Sequence, residues 1–207
     1  MYRVYCDGLL LYHSKIENLK IFNPSVELEL NKTGSFDFTI YPDHPYFGLI
    51  QKMKSIITIF QDDFMLFRGR VLDDEVGWHN EKHVACEGDM AFLLDSTLRP
   101  FAFSGTAAEF LAYVITLHNA QVDTSKRFQV GAVTVEGFVN YDTKEYINTK
   151  DTIDKTLVEP FGGYLMTRFE NGVAYVDYLK EINLLAPQKI AFGKNLLDLK
   201  RIRKGAE

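Results

Sequence analysis

His79-Asn80-Glu81-Lys82-His83 is the segment whose residue types come closest to chemistry, two imidazoles four positions apart with a carboxylate between them. On a helix that spacing would put both rings on one face, where they could hold zinc beside a general base. Here the carboxylate does not follow the first His directly, and Gly77 just ahead signals a hairpin turn. A solvated turn is therefore the favoured reading. A metal-dependent cell-wall hydrolase built on His79 and His83 is the enzymatic alternative.

The remaining reactive types fare no better. His118 closes a helical pattern and is followed by Asn119, a place where a cation suits the negative end of the helix. A catalytic role would need a nucleophile and an orienting acid that the sequence does not supply nearby, so capping or packing is favoured. Asp62-Asp63 and Asp73-Asp74-Glu75 offer hard oxygen ligands but not the spacing of a calcium loop, and read as solvated turn acids. Ser104-Gly105-Thr106 lacks the flanks of a nucleophile elbow, and neither a phosphate loop nor a dinucleotide fingerprint is found. Cys6 and Cys86, the only cysteines, fall in separate strand-like runs and read as buried structural thiols. No catalytic, metal or cofactor-binding residue is assigned. Trp78 and Tyr141 are expected to be exposed aromatics, the platforms of a carbohydrate-binding module if that third reading holds.

The elements behind these residues are mostly strands. The chain has 207 residues, 46% of them hydrophobic and 25% charged, enough for two small domains. Sixteen Phe and eleven Tyr favour sheets over a helical bundle. A net charge of -5 argues against a nucleic-acid binder, although Lys200, Arg201, Arg203 and Lys204 form a local basic cluster that suits either a phosphate backbone or a protected strand edge. No apolar run reaches membrane-spanning length and no signal-peptide pattern is read, so synthesis in a reducing cytoplasm is expected.

Strands are expected over residues 2–6, 9–12, 25–30, 35–41, 55–60, 64–72 and 82–87, with an Asp7-Gly8 hairpin turn at the start and a bulge at Gly69. Val26 to Leu30 and Phe36 to Ile40 alternate apolar and polar residues strictly, which places one row of each in a core. Pro42 and Pro45 open an excursion with one helical turn through Phe47 and Ile50. Residues 1–95 thus read as a small β-barrel or sandwich. Thr106 and Glu109 form a capping box for a helix that buries Phe110, Leu111, Val114, Ile115 and His118. A weaker helix over 151–158 turns Ile153 and Leu157 inward and is stopped by Pro160. An Asn171-Gly172 turn joins the two strands of a hairpin over 163–179. Residues 96–189 read as an α+β module, and the strand-like run from Ile190 to Leu199 as the start of a second, incomplete barrel over 190–207.

From the capped helix onward the sequence resembles the N-terminal region of siphophage and prophage tail-tip proteins, the family labelled prophage endopeptidase tail or phage minor structural protein. The residues that carry it are Leu117-His118-Asn119, Lys126-Arg127-Phe128, Tyr146-Ile147-Asn148, Phe161-Gly162-Gly163-Tyr164-Leu165, Tyr175-Val176-Asp177-Tyr178-Leu179 and the run Phe192 to Leu199. The resemblance implies a non-enzymatic, baseplate-hub-like component of the virion tail tip. It implies two related barrels with an α+β module between them, a homotrimer continuing the tail tube, and a channel that DNA traverses without specific binding. The distal tail protein and the tape measure protein are the implied neighbours. Peptidoglycan cleavage or host cell-wall contact in such families belongs to variable C-terminal regions.

Overall fold

The computed structural model describes residues 1–182. The run from Ile190 and the basic cluster at 200–204 lie outside the described residues.

Seven antiparallel strands make one sheet: β1 (Tyr2–Cys6), β2 (Leu9–His13), β3 (Phe22–Glu27), β4 (Ser35–Ile40), β5 (Ile56–Gln61), β6 (Phe64–Val76) and β7 (Lys82–Gly88). They lie in the order β2-β1-β5-β6-β7-β4-β3, and the expected small barrel takes the form of one sheet curled into a half-barrel. The inner row of side chains, among them Val4, Phe36, Phe38, Ile57, Ile59, Phe67 and Val84, forms a buried core. Asp7 and Gly8, at φ 49° and 82°, make the tight turn that the Asp-Gly pair specifies.

Three expectations need correction here. The bulges of β6 fall at Leu66 and Leu72, where the register shifts against β5 and β7, and not at Gly69. Gly69 lies between them because the backbone of Glu87 crosses so close that a Cβ would stand 2.1 Å from its carbonyl oxygen. The alternation of Val26 to Leu30 does not carry into the core: β3 stops at Glu27, and Leu28 and Leu30 remain 56% and 53% exposed. The cause is Asn31, which turns left-handed (φ 64°) and leaves the sheet to bind elsewhere. The excursion after Pro42 is a series of turns and not a helical turn, since the Tyr46 N–H donates to the His44 ring. It still lays Ile50, Tyr46 and Phe47 against the core.

A 3₁₀ helix, Asp89–Leu94, leads out of β7 into a second layer. There β8 (Thr97–Leu98) and β9 (Ala102–Thr106) precede α1 (Ala107–Asn119), whose Thr106–Glu109 capping box and buried face Phe110, Leu111, Val114, Ile115 and His118 are as expected. β10 (Gln129–Val133), β11 (Phe138–Asp142) and β12 (Ile147–Asn148) follow. Asn148 then caps α2 (Thr149–Ile153), two residues earlier than the sequence suggests. Pro160 does not stop this helix. A π-helical stretch, Asp154–Val158, widens it and carries it into a last turn, Glu159–Phe161. Wider i→i−5 spacing, seen in the Glu159 N–H reaching the Asp154 carbonyl, relieves the ladder that a proline would otherwise break. The chain ends the helix at Gly162, with φ 68°. β13 (Tyr164–Glu170) and β14 (Val173–Leu179) form the expected hairpin about Asn171-Gly172, and β10 joins β14 in parallel.

Candidate assembly surface

Between the two layers the outer face of β6 carries charge out of water. Arg70 donates to Glu87 Oε1 at 2.6 Å and grips Asp95 with two guanidinium nitrogens, while Lys126 Nζ reaches the same Asp95 at 2.7 Å. Burial raises the Asp95 carboxyl, but the hydrogen bonds from Arg70 and Lys126 outweigh it and hold it below its usual range. Arg68 binds Asp89 at 2.6 Å and lies 4.1 Å over the Phe169 ring of β13. Asn31 completes the junction: its side chain bonds the Gly163 carbonyl and the Leu165 N–H, and its carbonyl accepts from Lys150 Nζ.

Within the second layer the His118 ring is fully buried. Its Nε2 faces the Lys126 carbonyl at 3.1 Å and must donate, so Nδ1 accepts from the Ser96 hydroxyl at 2.7 Å, which also bonds Thr149 Oγ1. Burial lowers the His118 pKa despite the Lys126 carbonyl, so the ring is a neutral packing group and not a cation closing the helix. The Ser–His pair has no access from solvent, since Ser96 is buried too.

The other residues with reactive side chains are scattered. His79 sits in the exposed β6–β7 turn, its N–H bound to Glu81, while His83 lies on β7 with Nε2 3.8 Å from Asp37; the segment is not helical, so their spacing does not align the rings. Among the described residues no group of three His, Cys, Asp or Glu side chains is placed to hold a metal. Asp62 pairs with the Met1 ammonium, Asp63 with Arg3 and Asp73 with Lys52. Ser104 donates to Asn140 on the neighbouring strand. Cys6 and Cys86 are buried, and burial pushes the Cys6 thiol up to about 11 and that of Cys86 further. Among the described residues no helix is long and apolar enough to cross a membrane.

Apolar surface left in water is the more informative feature. Trp78 is 93% exposed at the β6–β7 turn beside exposed Val76. Tyr141, in contrast to expectation, is half-buried against Phe101 and Phe110 and is no free platform. At the other end of β6 a groove of about 410 Å³ is lined by Arg3, Tyr5, Phe60, Met65, Arg68 and Phe169 among others. Sequence reasoning singled out Trp78 but missed the groove, which needs β1, β5, β6 and β13 together. The β3 edge is itself blunted by Pro24, by left-handed Asn23 and by a register shift.

Three solved structures share this arrangement. A tail protein of Neisseria meningitidis MC58 superposes with a TM-score of 0.57 at 15% identity, over 84% of this chain and 50% of that one. The 43 kDa tail protein of prophage MuSo2 from Shewanella oneidensis gives 0.54 at 13% identity, over 85% and 52%. The fold is that of phage tail proteins. Prophage tail protein gp18 of Listeria monocytogenes EGD-e gives 0.50 at 12% identity, over 85% and 50%. The chain spans about half the length of the tail proteins it matches. No protein-family model matches the sequence, and neither does any curated protein.

Proposed function

We propose that the chain is a structural component of the virion tail tip, made in the bacterial host and assembled, as a trimer, at the end of the tail tube. In this reading residues 1–95 form the ring domain, residues 96–189 the outer module, and the ring bounds a channel for the leaving genome. Other tail proteins, the distal tail and tape measure proteins by resemblance, are its neighbours. The observation that carries the reading is the tail-protein fold over more than four-fifths of the chain. The chain's acidic balance, net -5, is in keeping with a tube that DNA slides through without sticking, because a basic lumen would retain phosphates. The role is non-enzymatic, and any peptidoglycan cleavage belongs to a different region of such assemblies.

Gold-labelled antibody against the chain, applied to intact virions, is expected to mark the distal end of the tail in electron micrographs. Labelling of the head or of the tail shaft, or none on particles that contain the chain, overturns the reading. Solution mass by light scattering across a concentration series tests the trimer separately, and a closed dimer or an open-ended series of masses would replace it.

A further inference from the structure

We infer that the Trp78 turn of one copy docks into the Arg3–Arg68 groove of the next. The inference rests on the ring-forming reading above.

The two surfaces are complementary in kind. The turn presents a nearly fully exposed indole and Val76 beside the exposed Glu75, while Asp74 pairs with Lys82 and the Glu81 carboxylate accepts from the His79 N–H, so the projecting apolar tip carries one acid free to meet a cation. The groove is concave, with aromatic walls from Tyr5, Phe60 and Phe169. Its two guanidinium groups already lie against rings, Arg3 5.9 Å from the Phe60 centroid and Arg68 4.1 Å from that of Phe169. Arg68 is held by buried Asp89 and Phe169, so an indole entering there meets the more exposed Arg3 guanidinium, and the Trp-with-Tyr-and-Arg composition is that of interface hot spots. Arg3 donates to the Asp62 carbonyl and sits 3.5 Å from the Asp63 carboxylate, both in an exposed turn, so the Glu75 carboxylate competes with water-screened partners.

The contact cannot form within one molecule. Arg68 and Trp78 stand ten residues apart along the β6–β7 hairpin, most of them in the extended strand β6, which separates groove and tip by roughly 25–30 Å. Tip and groove are different patches, so their contact is head-to-tail, the kind that closes a ring when its rotation permits and otherwise grows open chains.

Trp78 is the only tryptophan, which makes it its own reporter. Emission maximum and light-scattering mass are read on one concentration series for the native chain, Arg3→Glu and Glu75→Lys, with mass alone for Trp78→Ala. Association accompanied by a blue shift, lost in Trp78→Ala and in each charge variant, and recovered when Arg3→Glu and Glu75→Lys are combined in one chain, supports the contact. Association with emission unchanged and Trp78→Ala indifferent overturns it while leaving the ring reading intact. A chain that stays monomeric up to about 1 mM also overturns it, and the tail-tip reading is then decided by the gold label alone. A blue shift produced by cell-wall polysaccharide at constant protein mass overturns it in favour of a sugar platform.

Discussion

At the junction Arg70 is a charged side chain taken out of water and held by the carboxylates of Glu87 and Asp95, whereas at the β6–β7 turn Val76 and Trp78 are apolar side chains left in it. Both reverse the ordinary placement of their residue types, and they do so for opposite ends. Buried charge adds little net stability but is intolerant of wrong geometry, so the Arg70 cluster fixes how the second layer sits on the sheet. An exposed indole contributes next to nothing to the monomer's fold, and as a large apolar group standing in water it is suited to a partner. One region stores orientation and the other stores contact.

The largest blow to this comparison is removal of the charge centre. Arg70→Ala leaves Glu87 without its cation and Asp95 with Lys126 alone, and a loss of roughly 3 kcal/mol, the low end for a broken buried pair, is expected in urea unfolding. A loss below about 1 kcal/mol would show the cluster to be ordinary surface pairing. Gly69→Ala forces a methyl toward the Glu87 carbonyl, and a loss of roughly 1–3 kcal/mol is expected by the same measurement, with the midpoint moved and the slope unchanged.

A third effect is pH-dependent. Burial depresses the His118 pKa below the ordinary histidine value of about 6.5, so the folded state releases this proton more readily than the unfolded chain. The stabilisation is complete above pH 6.5 and is lost as pH falls from there toward the depressed folded value, at no more than about 1.4 kcal/mol per pH unit. The difference in unfolding free energy between the native chain and His118→Gln, followed from pH 7.5 to 5, isolates that slope from the carboxylates. A difference that does not change with pH would mean the ring is not buried neutral. Smallest of all, Trp78→Ala is expected to alter stability by less than about 0.5 kcal/mol while abolishing association. An appreciable loss of stability would put Trp78 in the fold and remove the contrast.

Much of this architecture was legible from local chemistry. Asp7-Gly8 and Asn171-Gly172 adopt the positive φ angles their types allow, and the Thr106–Glu109 box starts α1 where a helix start was read. Phe36 to Ile40 alternates into the core as its pattern implies. The failures have long-range causes. Leu28 and Leu30 carry a strand pattern, but Asn31 is drawn to Gly163 and Leu165, more than 130 positions away. Pro160 is carried by a π segment that no propensity marks, and two-residue strands such as β8 and β12 exist only through each other. Of the candidate surface, Trp78 could be named from sequence. The groove could not, since β13 supplies Phe169 from over a hundred residues beyond Phe60.

The Asn31 clasp also sets an order of events in time. Helix, π turn and β13–β14 hairpin are near neighbours in sequence, tied by the Tyr178 hydroxyl to the carbonyls of Leu157 and Gly162 across 21 and 16 positions. Asn31 must instead close loops of 132 and 134 positions to reach Gly163 and Leu165. Loop closure over such lengths comes late in folding, after local units have formed. The clasp should therefore be among the last contacts made and, because it joins preformed layers, among the first released. Native-state hydrogen exchange is expected to show the Leu165 amide opening more readily than the paired amides of β14, which makes this clasp the hinge along which the two layers first part.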